Sequence, residues 1–108
     1  MGSDKLSAAG ITAYHQKICF EAETLFARKN ADYARSSDSP LSNFELPEYF
    51  GIATKEDAIF IRFCDKVSRI ANLMQRDARV SDESFRDTAV DAINYIVLLA
   101  ALKENNDG

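Results

Sequence analysis

Thiol and imidazole side chains are scarce in this chain: 108 residues hold two cysteines and one histidine. Cys19 and Cys64 form no C-x-x-C pair and no Cys/His cluster, so a structural zinc site is excluded. A single disulfide between them is arithmetically possible. Each lies within an apolar helical pattern, which favours two reduced core thiols of a cytoplasmic protein. His15 reads as an exposed helix residue. Glycine is also sparse, at four positions, and neither a P-loop nor a G-x-G-x-x-G occurs. A nucleotide would therefore not rest in a glycine-rich backbone cradle.

Long apolar runs are missing as well. The longest, from Tyr95 to Leu102, falls far short of the roughly 20 residues that cross a bilayer. The N-terminus lacks the apolar stretch of a secretory signal. Gly2 fails the myristoylation pattern, which requires Ser or Thr where Leu6 stands. Residues 1–6 read as a disordered or tag-like segment. The formal charge of -4 disfavours nucleic acid and anionic membranes as partners, and no separate basic recognition helix is present.

What is present is helical periodicity, with no alternating strand pattern and no internal repeat. The chain reads as one helical domain over 7–104 with a frayed tail at 105–108. A first helix spans 7–34, with Ile11, Tyr14, Ile18 and Leu25 at helical spacing and Ala22 and Phe26 on the flank. The stretch 35–54 holds both prolines and Gly51, yet also Phe44, Leu46, Tyr49, Phe50 and Ile52. These are too many large apolar groups for a linker, so a short helix is expected to pack there. The next helix opens at Thr54, a good cap, with Phe60, Phe63, Val67, Ile70 and Met74 as its apolar stripe. Its other side shows Arg62, Asp65, Arg69, Asn72 and Arg76, with Lys66 on the border.

The last helix starts at Ser81 or Asp82 and carries Phe85, Ala89, Ala92, Ile96 and Leu99 as a stripe. Beyond Asn94 its polar face disappears, which requires cover from neighbours or a second chain. The expected fold is all-α: an antiparallel bundle of three main helices plus a short one, completed by homodimerisation or higher oligomerisation.

Charged side chains recur where these helices should meet. Glu83, Asp87 and Asp91 follow i, i+4, i+8 on the last helix, an arrangement of like charges that calls for positive partners. Arg62, Lys66 and Arg69 supply them from the preceding helix, with Asp65 among them. Glu21 falls on the apolar side of the first helix, and Lys29 follows on the same face. Two interpretations stand. In one, the charges are structural ion pairs of a non-catalytic helical interaction module. In the other, they form a phosphate site. Aspartates one turn apart suit Mg²⁺, which prefers a few carboxylates plus substrate phosphates, while Arg and Lys neutralise phosphate oxygens.

The segments KNADY (Lys29, Asp32, Tyr33), LSNF (Asn43, Phe44), Gly51, RFCDKVSRIANL (Arg62 to Leu73) and SDESFRDTAVDAINY (Asp82 to Tyr95) extend over most of the chain. In order and spacing they resemble the nucleotide-modification-associated domain family, common in bacteriophages. The resemblance implies a small helical protein of phage or mobile-element nucleotide metabolism. A looser similarity links that style of protein to MazG-like all-α NTP pyrophosphohydrolases, which hold magnesium with acidic residues and cleave a phosphoric anhydride bond. Their E-E-x-x-E and E-x-x-D patterns have no counterparts here, where Glu21-x-Glu23 and Asp87-x-x-x-Asp91 stand instead.

The expected site thus comprises Asp87, Asp91 and Glu83 as catalytic acids. Asp87, Asp91, Asp65 and Glu21 are the expected metal ligands. Lys29, Arg62, Lys66 and Arg69 are expected to contact phosphate, and Tyr33, Asn43 and Phe44 to line the nucleotide pocket.

Overall fold

A computed structural model describes residues 5–36, 39–75 and 82–107. Among these residues four helices occur and no strand: α1 (Ala8–Ser36), α2 (Ser42–Tyr49), α3 (Lys55–Met74) and α4 (Asp82–Asp107). The chain is all-α, and the short helix expected within 35–54 is α2. The final helix continues to Asp107, past the point where fraying was expected.

Four helix boundaries have a local cause. The Ser7 hydroxyl accepts from the Gly10 N–H at 3.1 Å and caps α1. The Ser42 hydroxyl accepts from the Ser39 N–H and donates to the Ser39 carbonyl, both at 2.8 Å, which closes the turn before α2. At the end of α2 the Gly51 N–H reaches the Glu48 carbonyl and the Ile52 N–H reaches the Pro47 carbonyl, at 3.0 and 2.9 Å. This Schellman pairing needs a left-handed residue, and Gly51 provides it with φ of 73°. Thr54 Oγ1 accepts from the Asp57 N–H at 3.0 Å, so the expected cap of α3 forms. Glu48 adds a second cap, accepting from the Lys55 N–H and from Lys55 Nζ, each at 3.1 Å.

α4 is the central element: α1 packs on one flank, α3 on the other, and α2 packs on α3, while α1 and α3 do not pack on each other. Direction follows from the residues that meet. Arg62 shares a cavity with Tyr95, and Lys66 pairs with Asp91, so α3 runs antiparallel to α4. Tyr14 and Lys17 share a recess with Phe85 and Arg86, whereas Asn30 shares the cavity with Asn94 and Leu98, so α1 runs parallel to α4. The three long helices form an open layer rather than closing around a common core.

That openness fixes how little is buried. Among the described residues the buried apolar set is Ala22, Ile59, Val90 and Leu102, joined by Thr88. The radius of gyration is 16.5 Å, against about 13 Å for a compact chain of this length. The accessible surface is 8097 Å², against about 6,000 Å² expected of a folded 12.0-kDa monomer.

The layer also redistributes the expected apolar stripes. On α3 the side facing α4 is Ile59, Phe63, Lys66, Ile70 and Leu73, all buried or half-buried. Phe60, Val67 and Met74, expected on that stripe, are exposed instead. The apolar arc of α3 is wider than one neighbour can cover, so the stripe splits. On α1, Ile11 and Tyr14 are exposed, as are all of residues 11–17. The cysteines are not core thiols: both are free, Cys64 is exposed and Cys19 half-buried.

Candidate functional site

A cavity of about 180 Å³ opens where the helices and the turn before α2 converge. α1 contributes Phe26, Lys29 and Asn30 to its wall, and the α2 segment contributes Pro40, Asn43 and Phe44. Arg62 of α3 and Asn94, Tyr95 and Leu98 of α4 complete it. Four residues expected at a phosphate or nucleotide site, Lys29, Asn43, Phe44 and Arg62, thus line one space although they are far apart in sequence.

The polar groups of this wall are not all satisfied from within. Asn94 Nδ2 donates to the Ala22 carbonyl at 3.1 Å, which ties α4 to α1 beside the cavity. Asn30 Oδ1, by contrast, is buried and has no hydrogen-bond partner among the described residues. An amide oxygen in that state is costly and awaits a donor. The apolar part of the wall is organised by Phe44 and Tyr95, whose rings meet edge to face with centroids 6.2 Å apart. Asn30 and Asn94 escaped the sequence reading. Their signal was an amide inside an apolar helical pattern, which by itself does not distinguish a site from a packing bond.

The cavity continues into a charged groove. Asp87, Asp91, Tyr95 and Leu98 follow one another at turn spacing, so the acids expected to be catalytic share the cavity-facing side of α4. Opposite them Arg62, Lys66 and Arg69 follow one another on α3. Lys66 Nζ lies 3.1 Å from Asp91 Oδ2, both side chains about one-third exposed. Asp87 is exposed. Asp65, Lys66, Arg69 and Asn72 line a shallow recess on the outer edge of the same groove.

Glu21 is not brought to this groove. Both of its carboxylate oxygens accept from Arg86, Nε at 2.9 Å and the second terminal nitrogen alongside, a bidentate pair that locks α1 to α4. That hydrogen bond, above all other influences, raises the Arg86 pKa further above its ordinary value. Among the described residues no three His, Cys, Asp or Glu side chains gather closely enough to share a metal ion. The expected roles of Tyr33 and Glu83 concern side chains that lie outside the described ones, although both residues belong to helices. No helix among the described residues is long and apolar enough to cross a membrane. No protein-family model, curated protein or solved structure matches the chain.

Proposed function

We propose that the chain binds a nucleotide, its base in the cavity and its phosphates along the row Lys29, Arg62, Lys66 and Arg69. One observation carries this reading: Asn30, whose buried Oδ1 has no partner among the described residues, lines the same cavity as Lys29, Asn43, Phe44 and Arg62. An amide oxygen only accepts, so the occupant must present an N–H or O–H there. A nucleobase does so through an amino group or a ring N–H, and its flat faces suit a wall containing Phe44 and Tyr95. The volume, about 180 Å³, is below the roughly 300–1,000 Å³ of sites that enclose a whole ligand. It suits a single ring system, with sugar and phosphates outside it. Lys29 and Arg62 are exposed residues of the same wall, as contacts to highly charged phosphates require.

Hydrolysis of the triphosphate extends the reading, on the strength of the family resemblance. The donor chemistry suits a magnesium ion shared with phosphates, which needs only one or two protein carboxylates. Asp87 would hold it, with Asp91 exchanging its single Lys66 contact for the ion, and Glu21 would not, because Arg86 takes both of its oxygens. When bound, such an ion neutralises phosphate oxygens and activates water. The chain's own part is to orient the base, through Asn30 and Asn43, and to hold the phosphate charge with Arg62 and Lys66. Homo-oligomerisation belongs to the same proposal, supported by surface well above that of a compact monomer.

Calorimetric titration with a panel of NTPs and dNTPs, with and without magnesium, tests binding. Saturable binding is expected, weakened at least tenfold in Arg62→Ala and in Asn43→Ala. Pyrophosphate release by wild type and its loss in Asp87→Asn test the hydrolytic part. Absence of binding to every nucleotide at millimolar concentration refutes the proposal. The alternative, a non-catalytic interaction module, draws on the two ion pairs Lys66–Asp91 and Glu21–Arg86. It expects Asp91→Asn to lower the melting temperature while nucleotides and magnesium leave that temperature unchanged.

A further inference from the structure

α3 carries a second apolar row that remains exposed among the described residues. Phe60, Cys64, Val67, Ala71 and Met74 recur in alternating steps of four and three, the spacing of a seam between two helices. All five are exposed, Phe60 at 54%, Val67 at 46% and Met74 at 72%. This row lies about 100° around the helix from the row that meets α4. Arg62, Asp65 and Arg69, the groove side of α3, lie on the opposite flank of that seam. The open row therefore belongs to the side of the layer away from the cavity. On α4 the same side presents Ala89, Ile93, Ile96 and Ala100, of which Ile96 is 47% exposed.

We propose that this face is covered by a second copy of the chain, with α3 lying antiparallel along α3 of the other copy and Val67 at the two-fold axis. The inference rests on the oligomeric part of the proposed function and names the surface responsible. Three observations support a copy of this chain as the occupant. The chain exposes about 2,000 Å² more than a folded monomer of its mass should, and a standard dimer needs about 800 Å² from each partner. The row and its neighbours Ile61 and Ser68 bear no charge, so the patch meets its own image without repulsion. Antiparallel alignment at Val67 sets Phe60 against Met74 and brings small Cys64 within one residue's rise of small Ala71, and antiparallel helices oppose their dipoles favourably. Both cavities of such a dimer face outward and remain open to ligand.

Sedimentation of the full chain at micromolar concentration is expected to give twice the 12.0-kDa chain mass. Val67→Asp, a change at an exposed position, is expected to return that mass to 12.0 kDa with unchanged helical circular dichroism. In a Cys19→Ser, Cys64→Ser background, Val67→Cys is expected to form an interchain disulfide on mild oxidation. Arg69→Cys, on the groove side, is expected not to. A mixture of Phe60→Cys and Met74→Cys chains should cross-link while either alone does not. A monomeric wild type overturns both the oligomer and its surface. A dimer that survives Val67→Asp and gives no Val67→Cys disulfide overturns the surface alone, and the disulfide decides should the aspartate variant unfold. None of these readouts involves nucleotide.

Discussion

Asn30 is the residue at which stability and the proposed function pull apart. Its buried carbonyl oxygen lacks a partner, a state that costs about 1–3 kcal/mol. Asn30→Leu removes that cost and is expected to raise the melting temperature of the ligand-free protein, roughly 4–8 °C for each kcal/mol recovered. The same variant should lose nucleotide binding in calorimetry. Higher stability with retained affinity would mean that Asn30 is not a ligand contact. Ile59 is the opposite kind of residue, an apolar side chain enclosed completely. Ile59→Ala should cost about 2–5 kcal/mol in urea denaturation, a large fraction of what so small a core can supply. Glu48 illustrates a pH effect. The Lys55 backbone N–H, foremost, and the Lys55 ammonium hold its carboxyl below the usual carboxylate range. A depressed pKa stabilises the fold above the ordinary value, and that contribution is lost as pH falls through the folded value. Wild type should therefore lose stability from about pH 4.3 downward more steeply than Glu48→Gln, as thermal melts at stepped pH would read.

At the scale of elements, α2 and the start of α3 act as one unit. Gly51 closes α2, Thr54 opens α3, and Glu48 joins them through Lys55. Thr54→Ala should cost about 1 kcal/mol of stability by chemical denaturation. Because Asn43 and Phe44 sit on α2, the loss should also weaken ligand binding if the cap holds that wall in position. α1 behaves as two halves. Its C-terminal half meets α4 through Ala22, Phe26 and the Glu21–Arg86 pair, whereas residues 11–17 are exposed. Amide exchange should accordingly be fast before Lys17 and slow beyond Ile18, since packing rather than propensity protects a helix. The starts of α1, α3 and α4 were legible in the chain because capping signals are local, whereas α3, expected to end around Asp77 to Arg79, ends at Met74. The flank of α3 that would be used was not, because its apolar arc fits either of two neighbours.

At the scale of the whole molecule, excess surface is the dominant fact. An open layer with 8097 Å² accessible is a marginal monomer, and association should carry part of its stability. The melting temperature should rise measurably across a hundredfold increase in protein concentration, whereas a monomer's would not move. The net charge of -4 coexists with the basic row Lys29, Arg62, Lys66 and Arg69, so nucleotide affinity should fall as salt rises while the fold persists.

The sequence alone determined the all-helical class, the short helix among the prolines, the Thr54 cap and the charged residue types on the helix faces. Each of these depends on neighbours within a turn or two, and periodicity and capping act over that range. Only the tertiary structure decided which charges stand together. It joined Lys29, Asn43, Phe44 and Arg62 at one cavity and Lys66 to Asp91, and it committed Glu21 to Arg86 instead. It also exposed Asn30 as an unpartnered acceptor and left one side of α3 uncovered. These outcomes hang on the order α1, α4, α3 across the layer. Helical spacing gives each helix its faces, but only packing selects the partner each face meets.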